Sequence, residues 1–176
     1  MNLQTFYAEE LQAAGEEKIS GENFVDECQV ESDLELLFPN EYIPSSSERM
    51  LLYRELDGLE LDKDVLAFKS RLEDRFGKVP REGQELLRIV PLRRMAKKRL
   101  GAEKVFLKAG RMTLFFVSNP DSPYYQSAAF GKVIDYMGKN PRYCNLREQN
   151  GKRSMVIKNV ETVETAVGIL QEIVSL

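Results

Sequence analysis

The sequence predicts an α+β fold in which helices pack on antiparallel β-hairpins within a single compact domain. Two pairs of segments alternate apolar and polar residues, one pair around Ala109-Gly110 and the other around Asn150-Gly151, and each pair is typical of a hairpin. Other segments repeat apolar residues every three or four positions, as amphipathic helices do. Hairpins that alternate with helices indicate an α+β protein whose helices gather mostly on one face of the sheet.

The first part of the chain is expected to contain a linker and one strand. Residues 1–25 have poor apolar spacing, so we expect a linker from a preceding domain, or a loosely docked helix, before the domain proper at 26–176. A strand-like pattern lies between Phe24 and Phe38.

Two helices follow. Ser45 and Glu48 form a capping box that opens the first. The second begins near Asp62 and ends where Gly77 takes the left-handed conformation and Pro80 prevents continuation. The residues expected to face inward are Leu52, Leu56 and Leu59 in the first helix, and Val65, Phe68, Leu72 and Phe76 in the second.

The remaining helices are predicted from proline and asparagine positions. Residues 82–100 are helical in pattern, but Pro91 predicts a kink or two short helices. Ser122-Pro123 is expected to open a helix after the first hairpin, and Asn159 to cap the last helix. The predicted order is strand, three helices, two strands, helix, two strands, helix.

Composition restricts the class of protein. The chain has 176 residues, 43% hydrophobic and 30% charged, which is enough for one good core. No apolar run approaches the ~20 residues of a membrane helix, and no secretory signal is visible. Cys28 and Cys144 are far apart and form no CxxC motif, which is typical of buried thiols that stay reduced. A cytoplasmic protein without membrane partners is therefore expected.

The residue types argue against most enzyme chemistry. Histidine is absent, which removes Ser-His and Cys-His nucleophile pairs and the commonest metal ligand. Neither G-x-x-x-x-G-K-[ST] nor G-x-G-x-x-G occurs, which argues against ATP binding by this chain. The carboxylates between Asp57 and Asp64 lack EF-hand spacing and are interpreted as a solvated helix junction. No catalytic residue, metal ligand or cofactor is predicted.

Charge is strongly segregated along the chain. Residues 1–64 carry 17 acids and 4 bases, residues 65–111 carry 14 bases and 5 acids, and the total net charge is −3. This pattern indicates charge-steered docking on a partner, or complementarity between two parts of one fold.

Two charged clusters are candidate binding sites. The densest basic cluster would form a stripe on a helix that binds nucleic acid or an acidic protein, or is simply solvated: Arg93, Arg94, Lys97, Lys98 and Arg99. The carboxylates of Asp74 and Glu73, with Asp64 nearby, lie around the second helix, where its C-terminal dipole disfavours negative charge. They are placed there by chance or serve a contact elsewhere.

An ordered set of short motifs resembles the C-terminal domain of the bacterial transcription-repair coupling factor, over roughly residues 28–175. Order and spacing match although each motif alone is weak. The motifs are Leu36-Leu37-Phe38-Pro39, Tyr42-Ile43-Pro44, Arg49 with Leu52-Tyr53-Arg54, Asp74-Arg75-Phe76-Gly77 with Pro80, Leu86-Leu87, Leu92-Arg93, Ala96 and Leu100-Gly101.

The resemblance implies a regulatory role. In the family, motor domains bind ATP and DNA and displace stalled RNA polymerase, while this domain does no chemistry. It packs on the N-terminal UvrB-like module and hides the surface that recruits UvrA. Acids on the helix that ends in Asp-Arg-Phe-Gly face arginines of that module, and Asp74 falls on one such position. The other position holds Arg71, and Glu73 or Asp64 would have to replace it.

The leading hypothesis is therefore a non-enzymatic domain that inhibits its parent by intramolecular docking. Nucleic-acid binding by the basic helix around residues 93–99 is the alternative from another class, although DNA is not the expected partner. A hydrolase or transferase that uses carboxylates alone has no positive support.

Overall fold

The computed structural model describes residues 24–176, and its elements follow the predicted order. The helices are α1 (Ser46–Asp57), α2 (Asp62–Phe76), α3 (Arg81–Lys98), α4 (Ala128–Lys139) and α5 (Val163–Val174). The strands are β1 (Gln29–Ser32), β2 (Lys104–Lys108), β3 (Arg111–Phe115), β4 (Cys144–Gln149) and β5 (Lys152–Lys158). Residues 1–23 of the predicted linker lie outside the described residues, whereas Phe24 and Val25 pack against the core.

The strands form one sheet in the order β1-β2-β3-β5-β4. Both predicted hairpins are confirmed, and their turn residues have positive φ, at 54° and 70° for Ala109-Gly110 and 54° and 76° for Asn150-Gly151. One pair departs from the predicted antiparallel arrangement, because β1 runs parallel to β2. The three helices between these two strands supply the long crossover that a parallel pair needs.

Helices α3, α4 and α5 cover one face of the sheet, as predicted. Alternate strand residues point into this main core, among them Val105, Leu107, Met112, Leu114, Met155 and Ile157. A second cluster holds α1 and α2 against the segment before them, through Phe38, Ile43, Leu56, Phe68 and Leu72. Helix α3 joins the two, because Leu87 and Val90 belong to the second cluster while Leu92 and Met95 belong to the main core.

Three local predictions are corrected. Helix α3 runs unbroken through Pro91, so a division into two short helices is wrong; its neighbours Val90 and Leu92 are buried, and that packing holds the helix together. Ser122 and Pro123 open a single 3₁₀ turn, and α4 begins separately after Ser127.

The N-cap of α5 is also different from the prediction. Asn159 lies before the helix with φ at 60°, and Thr162 is the N-cap. The Thr162 hydroxyl accepts from the Thr165 N–H at 3.0 Å. Thr162 has the extended backbone of an N-cap residue, which the left-handed Asn159 does not have.

Candidate interaction surface

Helix α2 buries one face and exposes the other. Phe68 and Leu72 are 1% and 2% exposed in the second cluster. Asp74 follows Leu72 by two positions, which on an α-helix is roughly the opposite side. Its side chain is exposed and makes no ion pair or hydrogen bond within residues 24–176. Asp74 is thus an unpaired anion on the outward face of the helix.

The other predicted contact residues, Arg71, Glu73 and Asp64, differ in whether they form ion pairs within the described part of the chain. Arg71 forms an ion pair with Glu55 of α1, and its guanidinium lies 5.6 Å from the Phe68 ring. Glu73 lies 3.8 Å from the Lys69 ammonium within α2. Asp64 is half-buried in the first turn and has no ion pair in the described part of the chain. Arg71 therefore links α1 to α2, which accounts for a cation at this position.

The C-terminus of α2 is held by an aromatic residue from before α1. Gly77 ends the helix with φ at 87° but ψ at −169°, so it is not the left-handed cap that was predicted. The Tyr42 hydroxyl donates to the Gly77 carbonyl at 2.7 Å, and the Tyr42 and Phe76 rings lie 5.7 Å apart. Burial, and then the nearby Glu73 carboxylate, raise the pKa of Tyr42. These contacts hold the end of the helix that carries Asp74.

The predicted capping box is half present. Ser45 accepts from the Glu48 N–H at 3.3 Å. The Glu48 carboxylate forms an ion pair with Arg75 of α2, whose guanidinium lies 5.0 Å from the Phe76 ring. Glu48 is thus a second ionic link between α1 and α2.

Other motif residues form the scaffold behind this surface. The Phe38 and Tyr53 rings stack at 5.3 Å, and the Phe38 N–H donates to the Tyr53 hydroxyl at 2.9 Å. Arg49 donates to the carbonyls of Ile43 at 2.6 Å and Pro44 at 3.2 Å. In the sequence these residues stood out as motifs without a predicted role. Their partners are brought together only by the fold.

A cleft of about 680 Å³ opens beside the C-terminus of α2. Tyr42 and Pro80 line it, and its charged residues are Glu35, Glu41, Glu82 and Lys78. The cleft therefore carries three acids and one base.

The basic helix is largely paired with the acidic segment upstream. Arg93 donates to Asp57 at 3.0 Å, and Arg94 donates to both oxygens of Asp62 at 2.9 and 3.0 Å. Lys98 lies 4.0 Å from Glu60. Lys97 and Arg99, the other two predicted nucleic-acid residues, have no ion pair among the described residues.

Complementarity within the fold accounts for part of the charge segregation. Seven of the eleven ion pairs in residues 24–176 join an acid before residue 65 to a base between 65 and 111. These pairs involve six of the 17 acids and seven of the 14 bases, and Asp74 is among the described acids that have no ion pair.

Both cysteines are free and buried, as predicted. Burial raises the pKa of Cys28 to about 11, against the opposing effect of Arg93 and Lys97. Burial also raises the pKa of Cys144. Within residues 24–176 no three Cys, Asp or Glu side chains are grouped as metal ligands, and no helix has the length and apolarity to cross a membrane.

Comparison with known proteins gives the family. A family model described as the TRCF domain matches residues 32–127, more than half of the chain. The chain belongs to the TRCF domain family.

The curated relatives are transcription-repair-coupling factors. That of Rickettsia bellii is 33% identical over 91 residues, 51% of this chain and 8% of the relative. That of Escherichia coli K12 is 32% identical over 79 residues, 45% and 7% of the two chains. That of Rickettsia typhi is 25% identical over 132 residues, 73% and 11%. The chain therefore spans 7–11% of the length of these relatives.

The fold is shared with a solved structure, the crystal structure of the C-terminal domain of a transcription-repair coupling factor. The TM-score is 0.64 at 16% identity, over 85% of this chain and 94% of that chain. The α+β fold class and the family resemblance are thus confirmed.

Proposed function

We propose that this chain is a non-catalytic regulatory domain of a cytoplasmic transcription-repair coupling factor. It docks through the outward face of α2 on the UvrB-like module of the same protein, masks the surface that binds UvrA, and restrains the ATP-dependent DNA translocase. Its connections to UvrA and RNA polymerase are indirect, through the parent protein.

The observation that carries the proposal is the unpaired Asp74 carboxylate. Most charges nearby are matched within the fold, including Arg71 with Glu55 and Arg75 with Glu48. An exposed acid without an internal partner in residues 24–176 is complementary to a cationic partner.

The strength of such contacts suits a reversible clamp. An exposed ion pair contributes about 0.2–1 kcal/mol. A 99:1 preference for the docked state needs about 2.7 kcal/mol. A few ion pairs and some apolar burial therefore suffice, and the exposed Leu66 of α2 supplies apolar surface on the same helix.

The alternative, nucleic-acid binding by residues 93–99, receives no support from the ion pairs. Arg93, Arg94 and Lys98 already face carboxylates of the same chain.

The proposal is tested by titrating the chain with the isolated UvrB-like module of its parent, with calorimetric detection at about 50 mM salt. We expect binding that weakens about tenfold in Asp74→Arg. Asp135→Arg, the same charge change at an exposed position of α4, is the matched control and should bind as the wild type does. Absence of binding at low salt, or equal loss in both variants, contradicts the proposal.

A further inference from the structure

The second face of the sheet carries an aromatic and basic surface that the proposed function does not use. Phe106, Phe115 and Val156 alternate with the core residues of their strands and belong to neither apolar cluster. Phe106 and Phe115 are half-buried. Since α3, α4 and α5 pack on the other face, no described helix covers these rings.

Cations surround the aromatic residues. By strand register, the charged residues of this face are one acid, Glu31, and six bases, Lys104, Lys108, Arg111, Arg147, Lys152 and Lys158. Asp33, which follows β1 and accepts from the Ala109 N–H at 2.9 Å, adds a second acid. A face with four net positive charges lies on a chain whose total is −3. Arg111 and Lys158 are direct cross-strand neighbours and have no ion pair in residues 24–176, so their repulsion is relieved when an anion binds between them, whereas Lys108 lies 3.9 Å from Glu31.

The aromatic residues form a small platform. The Phe106 and Phe115 rings meet edge to face, with centroids 5.3 Å apart. The ammonium groups of Lys104 and Lys108 lie 4.2 and 4.8 Å from the Phe106 ring centroid, and 3.2 and 3.9 Å from the Glu31 carboxylate. The bases of this face without an ion pair in residues 24–176 are Arg111, Arg147, Lys152 and Lys158. Tyr143, whose carbonyl accepts from the Lys158 N–H, is 47% exposed and adds a third ring at the edge of the sheet.

We propose that this sheet face, defined by Phe106, Phe115 and the six bases, binds single-stranded nucleic acid. Aromatic side chains on an open sheet stack with unpaired bases, and lysines and arginines around them bind phosphates. A base that stacks on Phe106 replaces a lysine ammonium over the ring, while the bases of this face that have no ion pair in residues 24–176 bind the phosphates. Base pairs in a duplex do not offer their planes, so single strands are preferred.

The face binds phosphates and base planes, neither of which depends on the sugar. We therefore expect DNA and RNA strands of the same sequence to bind within a few-fold of each other. An acidic peptide satisfies the charges but has no bases to stack, so it should bind more weakly than an oligonucleotide of equal charge.

The test measures fluorescence anisotropy of labelled oligo(dT) and oligo(U) of about 12 nucleotides with the full chain. We expect binding at about 50 mM salt that falls steeply by about 200 mM. Arg111→Glu with Lys158→Glu should weaken it at least tenfold and reduce the salt slope by about 1.4. Phe106→Leu keeps the apolar volume but not the ring, and should weaken binding about fivefold or more without changing the salt slope.

The matched control is Arg81→Glu with Lys139→Glu, which makes the same charge change at exposed positions on the helical side, outside the basic cluster of residues 93–99. It should bind as the wild type does, with circular dichroism verifying the fold of every variant. The proposal is overturned by no binding at low salt, by equal loss in the control, by Phe106→Leu binding normally, or by a Glu-rich peptide of equal charge binding as tightly. Because none of these variants changes α2, the outcome is independent of docking through Asp74.

Discussion

The Glu85 carboxylate caps helix α5 through Val163, although the two residues lie on different helices. Glu85 Oε1 accepts from the Val163 N–H at 2.8 Å, and Oε2 accepts from the Glu164 N–H at 3.1 Å. Oε2 also accepts from Arg88 at 3.0 Å. With Thr162 accepting from Thr165, three of the four free amides at the start of α5 are satisfied. A buried carboxylate thus joins α3 to α5.

We expect Glu85→Gln to reduce the free energy of unfolding by about 1–3 kcal/mol. The amide keeps one acceptor oxygen, but its NH₂ group then faces a backbone N–H that has lost its partner. Urea unfolding measures the change. Glu82→Gln, one turn earlier and only partly buried, is the control and should change stability little. Equal stability of the two variants would argue against the capping role.

Gly101 is a second position where a small change should matter. Its φ is 64°, and a Cβ there would lie 2.5 Å from Cε2 of the fully buried Tyr124. The ring cannot move freely, since its hydroxyl donates to the Leu100 carbonyl. Left-handed backbone alone costs about 1–2 kcal/mol, so Gly101→Ala should lose more than 2 kcal/mol in thermal or urea unfolding.

The control for Gly101 is Gly131→Ala in α4. A Cβ at this position would meet no heavy atom within 4 Å beyond the backbone of its own helix, and the helical conformation suits alanine. This variant should gain about 0.5–1 kcal/mol. A loss in Gly131→Ala as large as that in Gly101→Ala would contradict the explanation.

Exchanging the charges of Glu55 and Arg71 tests the proposed docking surface by adding an acid to α2. In Glu55→Arg with Arg71→Glu the ion pair should form with its charges exchanged, and an acid then occupies position 71, where the proposed docking surface calls for a second acid. If the proposed function is correct, affinity for the UvrB-like module should rise several-fold at unchanged net charge. The remote exchange Glu148→Arg with Arg153→Glu should leave affinity unchanged; an equal gain there would argue against a specific surface.

The free energy of unfolding should fall at alkaline pH. Burial holds the pKa of Cys28 at about 11, above its ordinary value of 9.0, so the folded thiol stays protonated while the unfolded one loses its proton. The contribution of Cys28 to the free energy of unfolding is complete below pH 9 and is lost as the pH rises to about 11. This loss is on the order of 2 kcal/mol. Burial also raises the pKa of Tyr136 from 10.0 to about 12, which extends the loss above pH 10.

Urea unfolding at pH 8, 9 and 10.5 measures this dependence. In Cys28→Ala the fall in the free energy of unfolding that begins near pH 9 should be much smaller. With no histidine in the sequence, no histidine titration contributes between pH 6 and 8. An unchanged alkaline slope in Cys28→Ala would assign the loss to other groups.

Local patterns predicted the elements well because their causes are local. Periodicity, the turns at Ala109-Gly110 and Asn150-Gly151, and the Ser45 cap each depend on neighbours within a few residues. Predictions failed where distant groups decide. Pro91 is kept inside α3 by packing on two clusters, and the conformation of Gly77 is set beside Tyr42, 35 residues away in sequence.

The order of strands and helices, the α+β class and the family could be read from the amino-acid sequence, because hydrophobic period and motif spacing are properties of the chain alone. Which charges stay unpaired depends on how the helices pack. Arg71 and Asp74 each carry one charge, of opposite sign, and are equally conspicuous in the sequence, but Arg71 meets Glu55 while Asp74 meets no ion-pair partner in residues 24–176. Electrostatic pairing depends on distance in space, and that distance exists only once the helices have packed.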